Sequence, residues 1–386
     1  MKNLPPIKQD FEVKFTYNLH FTSNMFSSTN LLLKSIFETY KNTAVKCLVV
    51  IDDGVANSHP NLENTINAYC NHHSKQIALQ KIVVLPGGEK AKVDKDSVNK
   101  VLEAIDNYNI CRHSFVIVIG GGALIDMVGF AAATAHRGVK LIRIPTTVLS
   151  QNDAAVGVKN GVNYFGKKNF LGSFATPYAI INDFDFLQTL EQRDWIAGIA
   201  EAIKVALIKD ADFFDFLEAN ALQMADRQME PMAQQIYRCA ELHMNHIAKG
   251  GDPFESGSSR PLDFGHWAAH KLEQMTNYKL RHGEAVAMGI ALDVTYAFLL
   301  GLISESILNR ILNVLSQIGF NLQLPITSNT EIEELITGIE EFREHLGGQL
   351  TITLINAIGS KYDVNEIDIS LMKKAIKIRQ QALVIS

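Results

Sequence analysis

The first half of the chain reads as an α/β domain on a parallel sheet, and the second half as a mostly α-helical domain. Three features carry that reading. In the first half, short apolar runs end in Gly, Pro or Asp turns and alternate with helical patterns. From Glu191 onward the apolar spacing is helical and long, with strand character returning only at Leu350–Ile355. No internal repeat or low-complexity linker breaks the 386 residues, a length that fits two domains of roughly 100–200 residues. The boundary is expected near Asp185–Gln192, giving domains 1–188 and 189–386.

Taken in order, the expected strands are Cys47–Ile51 before Asp52-Asp53-Gly54, and Lys81–Leu85 before Pro86-Gly87-Gly88. Ser114–Ile119 runs into Gly120-Gly121-Gly122, Leu141–Ile144 into Pro145-Thr146-Thr147, and Tyr178–Ile181 is the fifth. Helical patterns lie between them at Asp96–Tyr108 and Asp126–Thr134. Buried apolar strands separated by helices imply parallel pairing through crossovers. The helices expected in the second half are Asp194–Leu207, Ala211–Ala225, Pro231–Lys249, His266–Met275 and Glu284–Leu300.

Composition narrows the function classes. The net charge of −5 argues against a duplex-binding footprint, so no nucleic-acid partner is expected. Cys47, Cys70, Cys111 and Cys239 are far apart and form no CxxC pair, which suggests neither a disulfide framework nor a thiolate zinc site. The N-terminal stretch MKNLPPIKQDFEVKF lacks the apolar run of a secretory signal. No stretch reaches the ~20 apolar residues of a spanning helix, and Ala285–Leu302 is interrupted by Asp293 and Thr295. A soluble cytoplasmic protein is expected, with no membrane partner.

Several segments carry side chains suited to chemistry. Gly120-Gly121-Gly122 follows a strand and opens a helix, where backbone can approach a phosphate and the helix N-terminus favours anions. The spacing is not GxGxxG, and a purely structural turn would read the same. Asp126 follows on the first turn, able to hold a ribose or the loop. Pro86–Glu89 and Pro145–Thr147 sit at other strand ends, which line one crevice in an open parallel sheet. Lys159, Lys167, Lys168 and Asn169 make a basic, Gly-containing segment, either a solvated loop or a phosphate grip, with Asp153 upstream. Glu201 and Lys204 share one face of an apolar helix, as a structural pair or with a metal. His266 and His270 are spaced i,i+4, and His282 opens the next long helix. Imidazoles with a carboxylate suit zinc, and a Glu with two His from three helices would fit, whereas HExxH is absent.

Together the segments GGGALID, RGVKLIRIPTT, DAAVGVK, GKKN, AEAIK, DFGHWAAH and HGE resemble, in order, the sugar phosphate cyclase family, whose best-known member is 3-dehydroquinate synthase. The resemblance spans roughly residues 45–360 and looks closer to a branch distinct from the shikimate enzyme. It implies a dehydroquinate synthase-like fold, a homodimer, NAD on the first domain and a metal on the second, usually zinc, with cobalt the alternative. Glu201, His266 and His282 match the metal ligands. Asp52, Glu89, Lys92, Gly121, Gly122, Asp126, Thr146, Thr147, Lys159 and Lys168 match positions around NAD, with Phe186, Thr189 and Leu190 beside the nicotinamide end. Asp153, Lys159, Lys168, Asn169, Lys204, Glu255 and His270 match the substrate pocket, and Arg137 an arginine reaching the phosphate across the dimer. The implied chemistry is a carbon–oxygen lyase reaction on a heptulose phosphate: transient oxidation by NAD⁺, phosphate elimination, hydride return and aldol closure of a carbocycle.

Departures bear on the substrate. Ser259 stands where dehydroquinate synthases have a carboxylate-binding Arg, with Arg260 displaced by one. Asp263 replaces a phosphate-contacting Asn and suits a sugar hydroxyl better than a phosphate. Ungapped, Asn245 replaces a substrate-binding Lys, and the late phosphate-binding Lys is missing, with Arg343 the nearby candidate to substitute. These favour a neutral ketose phosphate such as sedoheptulose 7-phosphate, although His270 is the dehydroquinate-synthase-like choice. 3-Dehydroquinate synthase proper, acting on 3-deoxy-arabino-heptulosonate 7-phosphate, is the alternative. A metal-dependent polyol dehydrogenase or a non-catalytic paralogue would be rivals of another type. Lys159, Lys168 and Arg137 weigh against the former and the intact Glu–His–His set against the latter.

Overall fold

Strands β1 (Asn18–Thr22), β2 (Val45–Asp52), β3 (Ile77–Leu85), β4 (Phe115–Gly120), β5 (Lys140–Pro145) and β8 (Ala179–Asp183) form one sheet in a computed structural model of the chain. Their order is β1-β8-β5-β4-β2-β3, and every neighbouring pair is parallel. The structure describes residues 5–165, 167–250, 253–254 and 261–381, so Glu255, Ser259 and Arg260 lie outside the described residues. β4 is buried at all six positions because both faces are covered. Its Phe115, Ile117 and Ile119 join one apolar cluster, and Val116 and Val118 join the cluster on the opposite face. Period-2 side chains meeting two layers of helix explain the continuous apolar run.

Two parts of this domain differ from expectation. β1 is an edge strand with half-exposed faces, so it shows no apolar run. The basic segment is an antiparallel hairpin of β6 (Lys159–Tyr164) and β7 (Lys167–Phe174), not a loop. Gly161 pairs with Gly172, and a Cβ on Gly172 would meet Asn160 O at 2.9 Å, so the strands pack backbone on backbone there. β7 is mostly exposed, so no apolar alternation marks it.

The second half is built around the helix Gln192–Lys209, buried from Trp195 through Ile208. The helices Met229–Lys249, His266–Met275 and His282–Leu299 pack against or near it. The expected helix Ala211–Ala225 is two, Ala211–Ala219 and Ala221–Ala225, broken at Asn220, whose Nδ2 donates back to Phe216 O at 2.8 Å. Further helices run over Glu305–Ile318, Asn329–His345 and Ile369–Gln381. The late strand is Ile352–Ala357 (β9), paired antiparallel with Ser360–Val364 (β10). Among the described residues no helix is long and apolar enough to cross a membrane.

Candidate active site

The chain steps from β2 outward to β3 and from β4 outward to β5, so β2 and β4 border a switch point where ligands bind in open α/β sheets. Register sets Ile51 beside Ile119, which brings Asp52 next to Gly120. Glycine is required around it: a Cβ on Gly87 would meet Asp52 Oδ2 at 2.1 Å. The Gly54 N–H donates to Asp52 at 2.9 Å, and the Gly87 N–H to Asp53 at 3.0 Å. Burial pushes the Asp52 carboxyl up, against backbone donors that include Gly121. Gly121 caps the helix Gly122–Thr134, so its free N–H groups face the switch point. Thr146 is buried with its N–H on Gly120 O at 3.0 Å, and Thr147 Oγ1 lies 2.8 Å from Ser150 Oγ. Asp126 is paired with Lys92 at 2.6 Å, so it ties the glycine helix to the turn after β3. Phe186 and Thr189 meet His59, with Thr189 Oγ1 3.0 Å from its Nε2. A cavity of about 400 Å³ there is lined by Phe26, His59, Asp183 and Phe186, while Leu190 packs on the helical core.

On the helical side, Glu201, His266 and His282 converge from three helices, their ligand atoms all within 4.8 Å of one another. His266 Nε2 is 3.5 Å and His282 Nε2 3.2 Å from Glu201 Oε1, and Lys204 Nζ is 2.5 Å from Oε2. Both Glu201 oxygens are buried and lack a well-aligned hydrogen bond among the described residues. Burial alone would raise this carboxyl, but the Lys204 charge and the imidazoles hold it well below the usual range. Despite burial, Lys204 is raised by Glu201 and Asp153. A buried, under-bonded carboxylate facing two imidazole nitrogens fits a divalent cation, zinc in particular. Gly265 makes the approach possible: its φ is +77°, and its N–H donates to the buried Asp293 at 3.0 Å.

Around this centre, His270 stacks on His282 at 6.0 Å, and burial with the neighbouring imidazoles lowers it to about 3. Asp263 stays ionised below the usual range, because Lys159, His266 and Lys204 outweigh its burial. Asp153, likewise lowered against burial by Lys204, lies 2.9 Å from His243 Nδ1. Lys168 bridges Glu89 at 3.2 Å and Glu273 at 3.0 Å, joining the two halves of the chain. Asn169 is exposed on β7, its N–H donating to Asn163 at 2.9 Å. Arg137 stands apart, exposed beside Cys111, Arg112 and His136 near the start of β5, at the sheet end away from the crevice. Arg343 is exposed and paired with Glu340 of its own helix, so it supplies no replacement cation to the cluster.

Three contributors escaped the sequence reading. Glu273 lies two turns after His266, on the same helix face, a spacing that could have flagged it. His243 lies one turn after the buried Cys239 and meets Asp153, whereas Asn245, two residues on, is on another face of that helix. Arg143, in the middle of β5, is fully buried and left no signal beyond its odd place in an apolar strand.

An open parallel sheet with a glycine-lined switch point, abutting a helical domain with a buried carboxylate–imidazole donor set, defines the class by fold and site. Residues 82–197 match the family description "3-dehydroquinate synthase N-terminal", and residues 198–341 match "3-dehydroquinate synthase C-terminal". A 3-dehydroquinate synthase of Shewanella sp. (strain MR-4) is 36% identical over 76% of this chain and 81% of its own. One from Buchnera aphidicola subsp. Baizongia pistaciae is 32% identical over 94% and 98%. The structure of ValA, 2-epi-5-epi-valiolone synthase of Streptomyces hygroscopicus subsp. jinggangensis 5008 with NAD⁺ and Zn²⁺ bound, superposes at TM-score 0.86 with 27% identity, covering 97% and 99% of the two chains. The chain belongs to the 3-dehydroquinate synthase-like family of sugar phosphate cyclases, enzymes of the lyase type.

Proposed function

We propose that the chain is an NAD- and zinc-dependent cyclase that eliminates phosphate from a heptulose phosphate and closes a cyclohexane-type ring. A neutral ketose phosphate of the sedoheptulose 7-phosphate type is the favoured substrate. The carrying observation is the setting of the Glu201–His266–His282 donors, flanked by Lys204 and by an ionised Asp263 held in the field of Lys159. An ionised carboxylate accepts hydrogen bonds from sugar hydroxyls and repels a substrate carboxylate. The second reading, 3-dehydroquinate synthase proper, is favoured by His270 beside His282 and by the 36% identity to such an enzyme.

Residues 1–188 hold the nucleotide, through Asp52, Glu89, Lys92, Gly121, Gly122, Asp126, Thr146, Thr147, Lys159 and Lys168, the two last shared with the substrate phosphate, with Phe186, Thr189 and Leu190 at its far side. Residues 189–386 hold the cation through Glu201, His266 and His282. When bound, NAD⁺ supplies a hydride acceptor and the cation supplies Lewis acidity at the substrate oxygens. The remaining work is the chain's own. Lys204, held protonated by Glu201 and Asp153, donates from Nζ to a substrate hydroxyl. Asp153 and Asp263 accept from further hydroxyls and orient the ring atoms. Lys159, Lys168 and Asn169 grip the phosphate, and Arg137 serves the phosphate site of the second copy in a cytoplasmic homodimer.

A phosphate-release assay tests this. Release should require NAD⁺, leave no net NADH, stop with chelator, and favour sedoheptulose 7-phosphate over 3-deoxy-arabino-heptulosonate 7-phosphate. The reverse preference sinks the substrate assignment. Net NADH accumulation sinks the cyclase in favour of a dehydrogenase.

A further inference from the structure

We propose that Glu273 is a positioning residue that holds His282 on the metal side and Lys168 on the nucleotide side at once. The inference rests on the cofactor assignments above and goes beyond them. Its carboxylate is buried, with 4% of the side chain exposed. Oε2 lies 3.4 Å from His282 Nδ1, and Oε1 accepts from Lys168 Nζ at 3.0 Å. Lys168 in turn reaches Glu89 at 3.2 Å and sits over the Tyr278 ring at 5.1 Å.

The consequence for His282 follows from imidazole chemistry. A carboxylate at Nδ1 keeps the proton there and leaves the Nε2 lone pair free. Nε2 is the atom that faces Glu201 Oε1 at 3.2 Å. For Lys168, the two carboxylates Glu89 and Glu273 come from the turn after β3 and from the helix His266–Met275, so the ammonium is pinned between the two halves. Losing Glu273 frees both groups together, although they belong to different cofactor sites. His270, Glu273 and His282 also lie within 4.8 Å of one another. The Glu273 oxygens face Lys168 and His282 Nδ1, which makes Glu273 a support for the ligand His282 and not a ligand itself.

The test is zinc and NAD⁺ binding to the full chain, read by chelator competition and by calorimetry, for wild type, Glu273→Gln, Glu273→Asp and Glu201→Gln. The amide introduced by Glu273→Gln has one acceptor for two donors. Zinc affinity should fall about 10–100-fold. NAD⁺ affinity should fall about tenfold, the worth of one charge-assisted hydrogen bond. Glu273→Asp keeps the charge and should recover part of both affinities, which also serves if Glu273→Gln does not fold. Either constant staying within about twofold of wild type overturns the proposal. Complete loss of zinc binding in Glu273→Gln also overturns it, by making Glu273 a ligand. If wild type and Glu201→Gln bind zinc equally weakly, the metal assignment itself has failed. If only Glu201→Gln loses zinc, that assignment stands and this inference alone falls.

Discussion

Replacing Arg143 with Met tests how the loop carrying Asp153 and Lys159 is held. Arg143 is fully buried in β5. Its Nη1 donates to Ala155 O at 2.8 Å and Gly157 O at 2.6 Å, and its Nη2 to Asn160 Oδ1 at 2.8 Å. Burial depresses the guanidinium to about 10, with Asp126 and Tyr17 acting against it. Methionine fills the stem but leaves these acceptors, and Lys159 O at 3.4 Å from Nη2, without the Arg143 donor. Charge-assisted bonds contribute about 1.5–3 kcal/mol each, while removing the charge recovers its desolvation cost. The net loss should be about 3–5 kcal/mol, the usual size for breaking a buried charged contact. At about 2 °C per kcal/mol for a chain of this size, Tm should drop about 6–10 °C. Amides of 155–160 should exchange faster than those of β4, because the loop loses its anchor before the sheet does. Thermal unfolding and hydrogen exchange read both effects. A Tm within about 2 °C of wild type, with unchanged exchange at 155–160, would refute the anchoring role.

Two further substitutions probe the setting of His266. Gly265→Ala places a Cβ at φ +77° and 2.9 Å from Ile290 N. The left-handed conformation alone costs about 1–2 kcal/mol. The urea midpoint should fall, zinc affinity should weaken with it, and an unchanged midpoint contradicts the packing argument. Asp293 accepts from the Gly265 N–H and from Trp267 Nε1 at 2.9 Å, and burial raises its carboxyl to about 7 from 3.8. The folded pKa is the higher one, so the stability linked to its proton is present below pH 3.8 and is lost as pH rises to about 7. The upper bound of that change is roughly 4 kcal/mol. Stability of the wild type relative to Asp293→Asn should therefore decline across that window in denaturant titrations, and parallel profiles for the two proteins count against it.

Legibility followed how local each cause was. β4 and the Gly122 helix were readable because a doubly covered strand must be apolar throughout and a close turn must be glycine. The Glu201–Lys204 pair was readable because i,i+3 spacing on an apolar helix leaves a buried charge needing a partner. β1 and the β6–β7 hairpin were not, since an edge strand and an exposed ribbon carry no apolar period. Asp126 illustrates the other limit: its place after the glycines was visible, but its engagement by Lys92 was not.

By itself the sequence determined most of the apolar strands and long helices, their order, and the side chains suited to phosphate and metal, because propensity, periodicity and residue chemistry act over a few neighbouring positions. Tertiary structure decided which of them meet. It joined Glu201 to imidazoles 65 and 81 positions away, set Glu273 between His282 and Lys168, and left Arg137 outside the cleft of its own chain. Such distances depend on helix crossings and strand register, which arise from packing across the whole chain and leave no local mark.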